Sequence, residues 1–233
     1  MLKTLFSFLA VLIGIQASAQ KTEFRLSLNS GFYSFAGDYA KSTSYVLINW
    51  GPSPVTNNPF GTHGALCYGL SGSIQQITKS KFLFGIDFGY EKLRSKVLIN
   101  EVEENLGGIN YGAAAKGKEF LNFDYQDLFP YGGHRYRLGK LSLDLIGGTD
   151  IGFCTDNREK SETNMGGKTY TGSLEKAYIK VDIRPRLQIS VNYHRLGVYM
   201  GYSYGLRNNA TAYDDGKQHC YGRMKRFGLA YRL

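Results

Sequence analysis

Charged side chains recur at every second position in several segments of this 233-residue chain. The segment 180–186 places a lysine, an aspartate and two arginines on the same side of an extended strand, because successive side chains point to opposite faces. In the strands predicted below, the charged residues expected to point into the interior of a barrel are Arg25, Asp87, Glu91, Asp144, Asp150, Lys180, Asp182, Arg184, Arg186, Arg226 and Arg232. Enclosed charges of both signs must pair with one another, so the set predicts a salt-bridged interior. The alternative is a narrow polar pore or ligand cavity, in which Arg184 and Arg186 would be the selectivity residues.

Four histidines are the other candidates for chemistry, namely His63, His134, His194 and His219. A lipid hydrolase built on a barrel would need a histidine and a serine on one strand face near the rim. His219 has no matching serine, and His134 and His194 fall in regions of predicted short turns. The three cysteines lack metal-ligand spacing. We therefore predict no catalytic residue, no metal site and no cofactor.

A basic pair, Arg223 and Lys225, precedes the last apolar segment of the chain. Both residues share the strand face of Phe227 and Leu229, but they lie nearer the preceding loop. At that position they could donate charge-assisted hydrogen bonds to the phosphates of lipopolysaccharide. The alternative is a basic pair that is simply hydrated.

The clearest strand is the segment Lys81–Glu91, which alternates without a break. One face carries three phenylalanines, an isoleucine and a tyrosine, and the other carries Leu83, two glycines, Asp87 and Glu91. A period of two predicts a β-strand. In a membrane barrel the apolar face would meet lipid and the polar face would line a narrow interior.

The same alternation recurs and predicts eight strands, at 23–32, 65–77, 81–97, 118–136, 141–153, 174–191, 197–206 and 218–233. Long loops at 37–63, 98–117, 155–173 and 207–217 alternate with short turns. The fourth strand is the least regular, because Asp127 shares the face of its aromatic residues and Pro130 interrupts it. We predict a bulge that restores an outward aromatic face there.

The N-terminus has the order of a secretory signal peptide. Lys3 is followed by an apolar run from Leu5 to about Ile15 and by the small residues of a cleavage site, Ala17-Ser18-Ala19. The run is too short for a spanning helix, which needs about 20 residues. We predict a signal peptide at 1–19 and one barrel domain at 20–233.

Composition is compatible with this architecture. The chain contains 29 glycines and 18 tyrosines, its mean hydropathy is −0.29 and its formal net charge is +9. A low hydropathy is expected when polar interior residues balance apolar exterior ones. No basic run is long enough to predict nucleic-acid binding. Cys67, Cys154 and Cys220 allow at most one disulfide, and three free thiols are the alternative.

These patterns predict an all-β fold, an eight-stranded antiparallel up-and-down transmembrane β-barrel with long extracellular loops and short periplasmic turns. The signal peptide, the segment Gly139–Phe153 (GKLSLDLIGGTDIGF), the SYGL of Ser203–Leu206 and the terminal FGLAYRL of Phe227–Leu233 resemble small outer-membrane β-barrels of the PorT-like and OmpA/OmpX-like groups. That family often ends in Phe, whereas this chain ends in Leu233. The resemblance implies location in the outer membrane of a Gram-negative cell and insertion by the barrel-assembly machinery.

The expected function is a non-enzymatic structural or interaction role. The barrel would be an anchor in contact with outer-membrane lipid and lipopolysaccharide, and the loops would meet the exterior or a protein partner. The PorT-like resemblance implies an accessory role in protein secretion. The alternatives are a narrow channel or small-ligand transport barrel and, ranked last, a soluble lipocalin-like barrel, because the aromatic face is too large for so small an interior.

Overall fold

The computed structural model describes residues 19–49, 51, 53–106, 109–175, 179–212 and 218–233. The predicted signal peptide, apart from the backbone of Ala19, lies outside these residues. The strands are β1 (Ala19–Ala36), β2 (Thr43–Ile48), β3 (Val55–Thr56), β4 (His63–Thr78), β5 (Phe82–Leu106), β6 (Ile109–Leu138), β7 (Leu141–Met165), β8 (Lys168–Glu175), β9 (Val181–Tyr193), β10 (Leu196–Tyr204) and β11 (Tyr221–Arg232), with a 3-10 helix at Asn209–Ala212. Among the described residues, no helix is long and apolar enough to span a membrane.

Eight of the strands close into a ring. The order is β1, β4, β5, β6, β7, β9, β10 and β11, and β11 pairs with β1 from Arg25 opposite Arg232 to Ala36 opposite Tyr221. Every neighbouring pair in the ring is antiparallel. Closure leaves no free edge in the barrel wall. The predicted all-β, eight-stranded antiparallel barrel is confirmed.

The two ends of the barrel differ. At the short-turn end, tight turns join neighbouring strands, and Lys81, Gly139 and His194 adopt positive φ angles of 67°, 62° and 50°. Glycine accepts this conformation at no steric cost, which is why Gly139 suits its turn. At the other end, here called the long-hairpin end, the strands continue well beyond the ring.

The long-hairpin end is more ordered than the sequence predicts. The predicted loop 98–117 is wrong, because β5 and β6 stay paired to Leu106 opposite Ile109. Most of the predicted loop 155–173 is likewise strand, since β7 and β8 pair as far as Met165 opposite Lys168. Within the loop 37–63, β2 runs parallel to the extension of β5, and β3 pairs with β2. Polar and glycine-rich composition conceals these strands, although Gly166 and Gly167 adopt the positive φ angles of a two-residue hairpin turn, 59° and 82°.

The fourth barrel strand, β6, has the opposite orientation to the one expected. Its aromatic face points inward, and its buried residues are Leu121, Phe123, Tyr125, Asp127, Phe129 and Tyr131. The register explains this, because Phe129 lies opposite Asp87 and Tyr125 opposite Glu91, and residues that face each other across a ladder share one side of the sheet. The predicted bulge for Asp127 is therefore not needed, and Asp127 faces inward with its neighbours.

Candidate functional site: the barrel interior and surface

A belt of exposed apolar side chains surrounds the barrel. This apolar belt comprises Leu26, Leu28, Leu70, Phe84, Phe88, Leu145, Leu187, Ile189, Val198, Met200, Phe227 and Leu229. Leu187, at the middle of β9, is 74% exposed. Burying a leucine is favourable by about 1.5–3 kcal/mol, so a continuous belt of this kind is unstable in water. The arrangement is inverted relative to a soluble protein, with apolar residues outside and ionic residues inside.

Charged side chains meet in the middle of the interior. This central network comprises Glu91, Asp127, Asp150, Asp182, Arg184, Arg186 and Arg226, all buried. Arg226 donates two hydrogen bonds to Glu91, of 2.7 and 2.8 Å, and a third of 3.2 Å to Asp150. Arg184 donates to Asp127 at 2.7 Å. Five strands contribute to the network, so its contacts tie opposite sides of the barrel together.

The inward aromatic face of β6 covers two of these arginines. The guanidinium carbon of Arg184 lies 5.1 Å from the ring centroid of Tyr125, and that of Arg186 lies 4.2 Å from Phe129. A cation over an aromatic face is attracted by the ring quadrupole, and the attraction grows when water is excluded. The reversed orientation of β6 therefore serves the network, because β9 supplies cations and β6 supplies the aromatic surface beside them.

A second charged group, the lower network of Glu23, Arg135, Asp144 and Arg232, lies at the short-turn end. Arg135 holds Asp144 in a bidentate pair with distances of 2.6 and 2.8 Å and reaches both oxygens of Glu23 at 3.1 Å. Arg232 lies 3.5 Å from Glu23 and 3.8 Å from Asp144. Bidentate guanidinium–carboxylate pairs are the strongest kind of ion pair, so this network closes the interior at that end.

The structure places ten of the eleven predicted interior residues on the inward face. Arg25 donates to the hydroxyl of Tyr131 at 3.0 Å, and Asp87 lies opposite Ser73 between the two networks. Lys180 is the exception, because it is exposed and precedes β9, which starts at Val181 rather than at the predicted Leu174. Residues 176–178 of the predicted sixth strand lie outside the described residues.

Sequence reasoning missed three interior residues that take part in the networks, namely Glu23, Asp127 and Arg135. Glu23 shares the parity of Arg25, so extending the first strand face by one position would have found it. Asp127 was visible as the charged residue on the aromatic face of β6, and Arg135 continues that face toward the short turn. The alternation along the strands therefore places all three residues on inward faces. Asp127 and Arg135 were missed because β6 was predicted in the wrong orientation.

An aromatic layer separates the central network from the long-hairpin end. Its buried residues are Tyr33, Phe35, Phe60, Leu93, Leu121, Phe123, Tyr125, Met224 and the three cysteines. Cys67, Cys154 and Cys220 are all free, so the alternative of one disulfide does not hold in the structure. Phe60 comes from the segment after β3 and packs on Phe35 with ring centroids 5.1 Å apart. The chain between β1 and β4 thus folds across this end of the barrel.

Polar contacts hold the segment between β1 and β4 in place. The backbone N–H of His219 donates to Asp38 at 2.6 Å, and this bond lowers the pKa of Asp38 below its ordinary value. The N–H of Thr56 donates to Glu159 at 2.7 Å. These bonds join the segment after β1 to both β7 and the start of β11, so the long-hairpin end forms one connected structure.

The basic pair lies on the outer surface near the long-hairpin end. Arg223 and Lys225 line a groove of about 200 Å³ between β1, β4, β10 and β11, together with Phe32 and Tyr202. Arg223 donates to the carbonyl of Phe35 at 3.2 Å, which fixes its position. Lys225 is exposed. Two cations beside aromatic rings can hold a phosphate while the rings contact acyl chains.

The four histidines lie on different elements of the fold. His63 begins β4, His134 packs at a tilt against Tyr136 on β6, His194 occupies a short turn and His219 lies next to Asp38. In the part of the chain that the structure describes, no three His, Cys, Asp or Glu side chains are arranged to hold a metal ion.

Comparisons with known proteins give structural likenesses only. No protein family and no curated protein matches the chain. Similar solved structures include Ail of Yersinia pestis, at 12% identity over 92% of this chain and 100% of that chain with a TM-score of 0.38. Neisserial surface protein A is 9% identical, with coverages of 92% and 100% and a TM-score of 0.39. The outer-membrane protease OmpT of Escherichia coli is 9% identical, with coverages of 91% and 97% and a TM-score of 0.40. With TM-scores this low, the fold assignment depends on the strand pairing described above.

Proposed function

We propose that the chain is an integral β-barrel protein of the outer membrane. The observation that carries this proposal is the inverted distribution of residues, with the apolar belt outside and buried ion pairs inside. The shortest barrel strand, β10, has nine residues, which is enough to cross a bilayer when tilted. We orient the barrel with its short turns toward the periplasm and its long hairpins toward the exterior. The barrel-assembly machinery is proposed to insert the chain.

The barrel is proposed to be a closed anchor without enzymatic activity. An eight-stranded barrel is just wide enough for its side chains to fill it. Here the two networks and the aromatic layer occupy successive levels of the interior. An ion would have to break several short ion pairs to pass, so the interior supports anchoring better than transport.

Two measurements test this proposal. We expect the protein to fractionate with the outer membrane and its unboiled form to migrate faster on a gel than its boiled form, because closed barrels resist detergent. In planar bilayers, the purified protein should produce no conductance steps. Regular, voltage-independent steps that change their ion selectivity in an Arg184→Gln or Arg186→Gln variant would instead establish the alternative, a narrow channel.

The long-hairpin end is the proposed interaction surface. The paired extensions of β5, β6, β7 and β8, covered on one side by β2 and β3, form a folded platform. The PorT-like resemblance extends the proposal to an accessory role in protein secretion. Photo-crosslinking from Tyr111, which is exposed on the β6 extension, should capture a protein partner in cells, whereas the same probe at Leu138 on the short-turn end should not capture it. Equal capture from both positions would contradict an outward-facing platform.

Arg223 and Lys225 are proposed to contact the phosphates of lipopolysaccharide. The groove that they line lies on the outer face, beside belt residues and toward the outward end. An Arg223→Gln/Lys225→Gln variant should retain less lipopolysaccharide after purification in mild detergent, as measured by native mass spectrometry. The matched control is Lys116→Gln/Lys118→Gln on the β6 extension, which makes the same charge change. Equal retention by the groove variant and the native protein would disprove this contact.

A further inference from the structure

The mouth of the barrel at the short-turn end is a basic vestibule. Two adjoining cavities of about 320 and 250 Å³ open there, and both are lined by Lys21, Arg135 and Arg137. The first is also lined by Lys79 and Lys81, and the second by Lys140 and His194. We name this combined space the vestibule. The lower network forms its base, since Glu23, Arg135 and Arg232 belong to both, and the other cations line its walls.

The positive charge of the vestibule is not neutralised by its own walls. The single carboxylate that lines it, Glu23, is 4% exposed and is already held by Lys21, Arg135 and Arg232. Within the described ranges, no carboxylate lies within ion-pair distance of Lys79, Lys81, Arg137 or Lys140. Four uncompensated cations therefore surround one concave space. A cavity of this kind concentrates the electrostatic potential and attracts anions.

The fold fixes the position of several of these cations. Arg135 and Arg137 are two residues apart on β6, so both side chains point to the inward face. The N–H of Arg135 donates to the carbonyl of Lys81 at 2.9 Å, and the N–H of Lys81 donates to that of Thr78 at 3.0 Å. Lys81 thereby holds a left-handed conformation that is costly for a side chain larger than glycine. Arg135 forms a rigid floor, because Asp144 and Glu23 take up its donors.

We propose that the vestibule binds a small polyanion of the oligophosphate class. Arginine and lysine donate charge-assisted hydrogen bonds to phosphate oxygens, and arginine does so in a planar fork. The larger cavity is of the size that holds a small molecule rather than a single ion. The vestibule opens along the barrel axis, inside the ring of strands, so a soluble anion reaches it more directly than a lipid headgroup does. This inference concerns binding alone and holds whichever partner the long-hairpin end has.

The test is calorimetric titration of the full chain in zwitterionic detergent with inorganic tripolyphosphate. We expect saturable binding with one site, weakened by added salt because exposed charges are screened. A Lys81→Ala/Arg137→Ala variant should bind at least about tenfold more weakly, since each lost contact to a charged group is worth about a factor of ten. Citrate, which presents carboxylates instead of phosphates, should bind more weakly than tripolyphosphate.

The control is Lys116→Ala/Lys118→Ala, which removes the same charge at the opposite end of the barrel and should leave the affinity unchanged. Equal weakening by both pairs, or the lack of saturable binding, would overturn the proposal. Citrate binding as tight as that of tripolyphosphate would overturn the assignment to phosphates. Should the first variant fail to fold, Lys79→Ala/Lys140→Ala removes two other exposed lysines of the vestibule and gives the same expected loss.

Discussion

Replacing Arg226 by methionine is expected to lower the free energy of unfolding by about 3–5 kcal/mol, because buried Glu91 loses the guanidinium that donates to both of its oxygens. Arg226 is 2% exposed, and its guanidinium contacts Glu91 and Asp150. Methionine keeps much of the side-chain volume, so the loss reports the charge rather than a cavity. Urea unfolding of the protein in lipid vesicles, followed by the fraction of the fast-migrating gel band, measures the change.

Two further variants make this result specific. Lys118→Met removes a cation whose carboxylate, Glu162, lies 3.8 Å away on the exposed surface, and it should cost less than about 1 kcal/mol. The double variant Arg226→Met/Glu91→Gln removes both charges of the closest pair. Its loss should be smaller than the sum of the two single losses, because the second change relieves the charge that the first leaves unpaired. A change below 1 kcal/mol for Arg226→Met would show that water reaches the central network and that the interior is open.

The alternation of polar and apolar residues made the barrel predictable. In the segment 81–91 every second residue is aromatic or aliphatic, and no other regular structure has that period. Short turns between consecutive strands and an even strand count then left few possible strand orders for the sheet. The strand ends were less predictable, because the extensions of β5 to β8 contain Glu, Asn and Gly, which are typical of loops. Those strands exist because β2 and their own hairpin partners satisfy the backbone hydrogen bonds. The pairing with β2 has no local signature, whereas the Gly166-Gly167 turn between β7 and β8 is a local hairpin signal.

The sequence predicts which residues point into the barrel, but not which residues they contact there. Parity separates inward from outward residues on each strand, yet it does not show which strand lies across the barrel. The contact between Arg226 and Glu91 joins positions 135 residues apart in the chain. On β6 both faces are compatible with a barrel, and only its pairing with β5 decides which of them points inward. An aromatic strand face is outward where lipid covers it and inward where arginines need a partner.

Replacing Leu187 by arginine is expected to destabilise the protein by about 2–4 kcal/mol in lipid vesicles, which is the cost of an arginine at the bilayer midplane. Leu187 lies at the centre of β9, and its side chain is among the most exposed of the apolar belt. On the surface of a soluble protein the same change would alter stability by less than about 0.5 kcal/mol. The size of the stability change caused by this variant therefore separates a membrane barrel from the soluble alternative.

A depth series extends this test along the barrel. Leu138 lies at the short-turn end, where the stability lost on Leu138→Arg should fall to about 0–1 kcal/mol. Tyr111 lies on the β6 extension, where water replaces lipid, so Tyr111→Arg should cause no loss of stability. All three positions are exposed in the protein, so packing does not distinguish them, and the surrounding solvent must cause any difference. Equal, small effects at all three positions would mean that the apolar belt faces another protein surface or water. A cost that peaks at Leu187 and vanishes at Tyr111 would place the bilayer around the ring of eight strands and leave the long hairpins outside it.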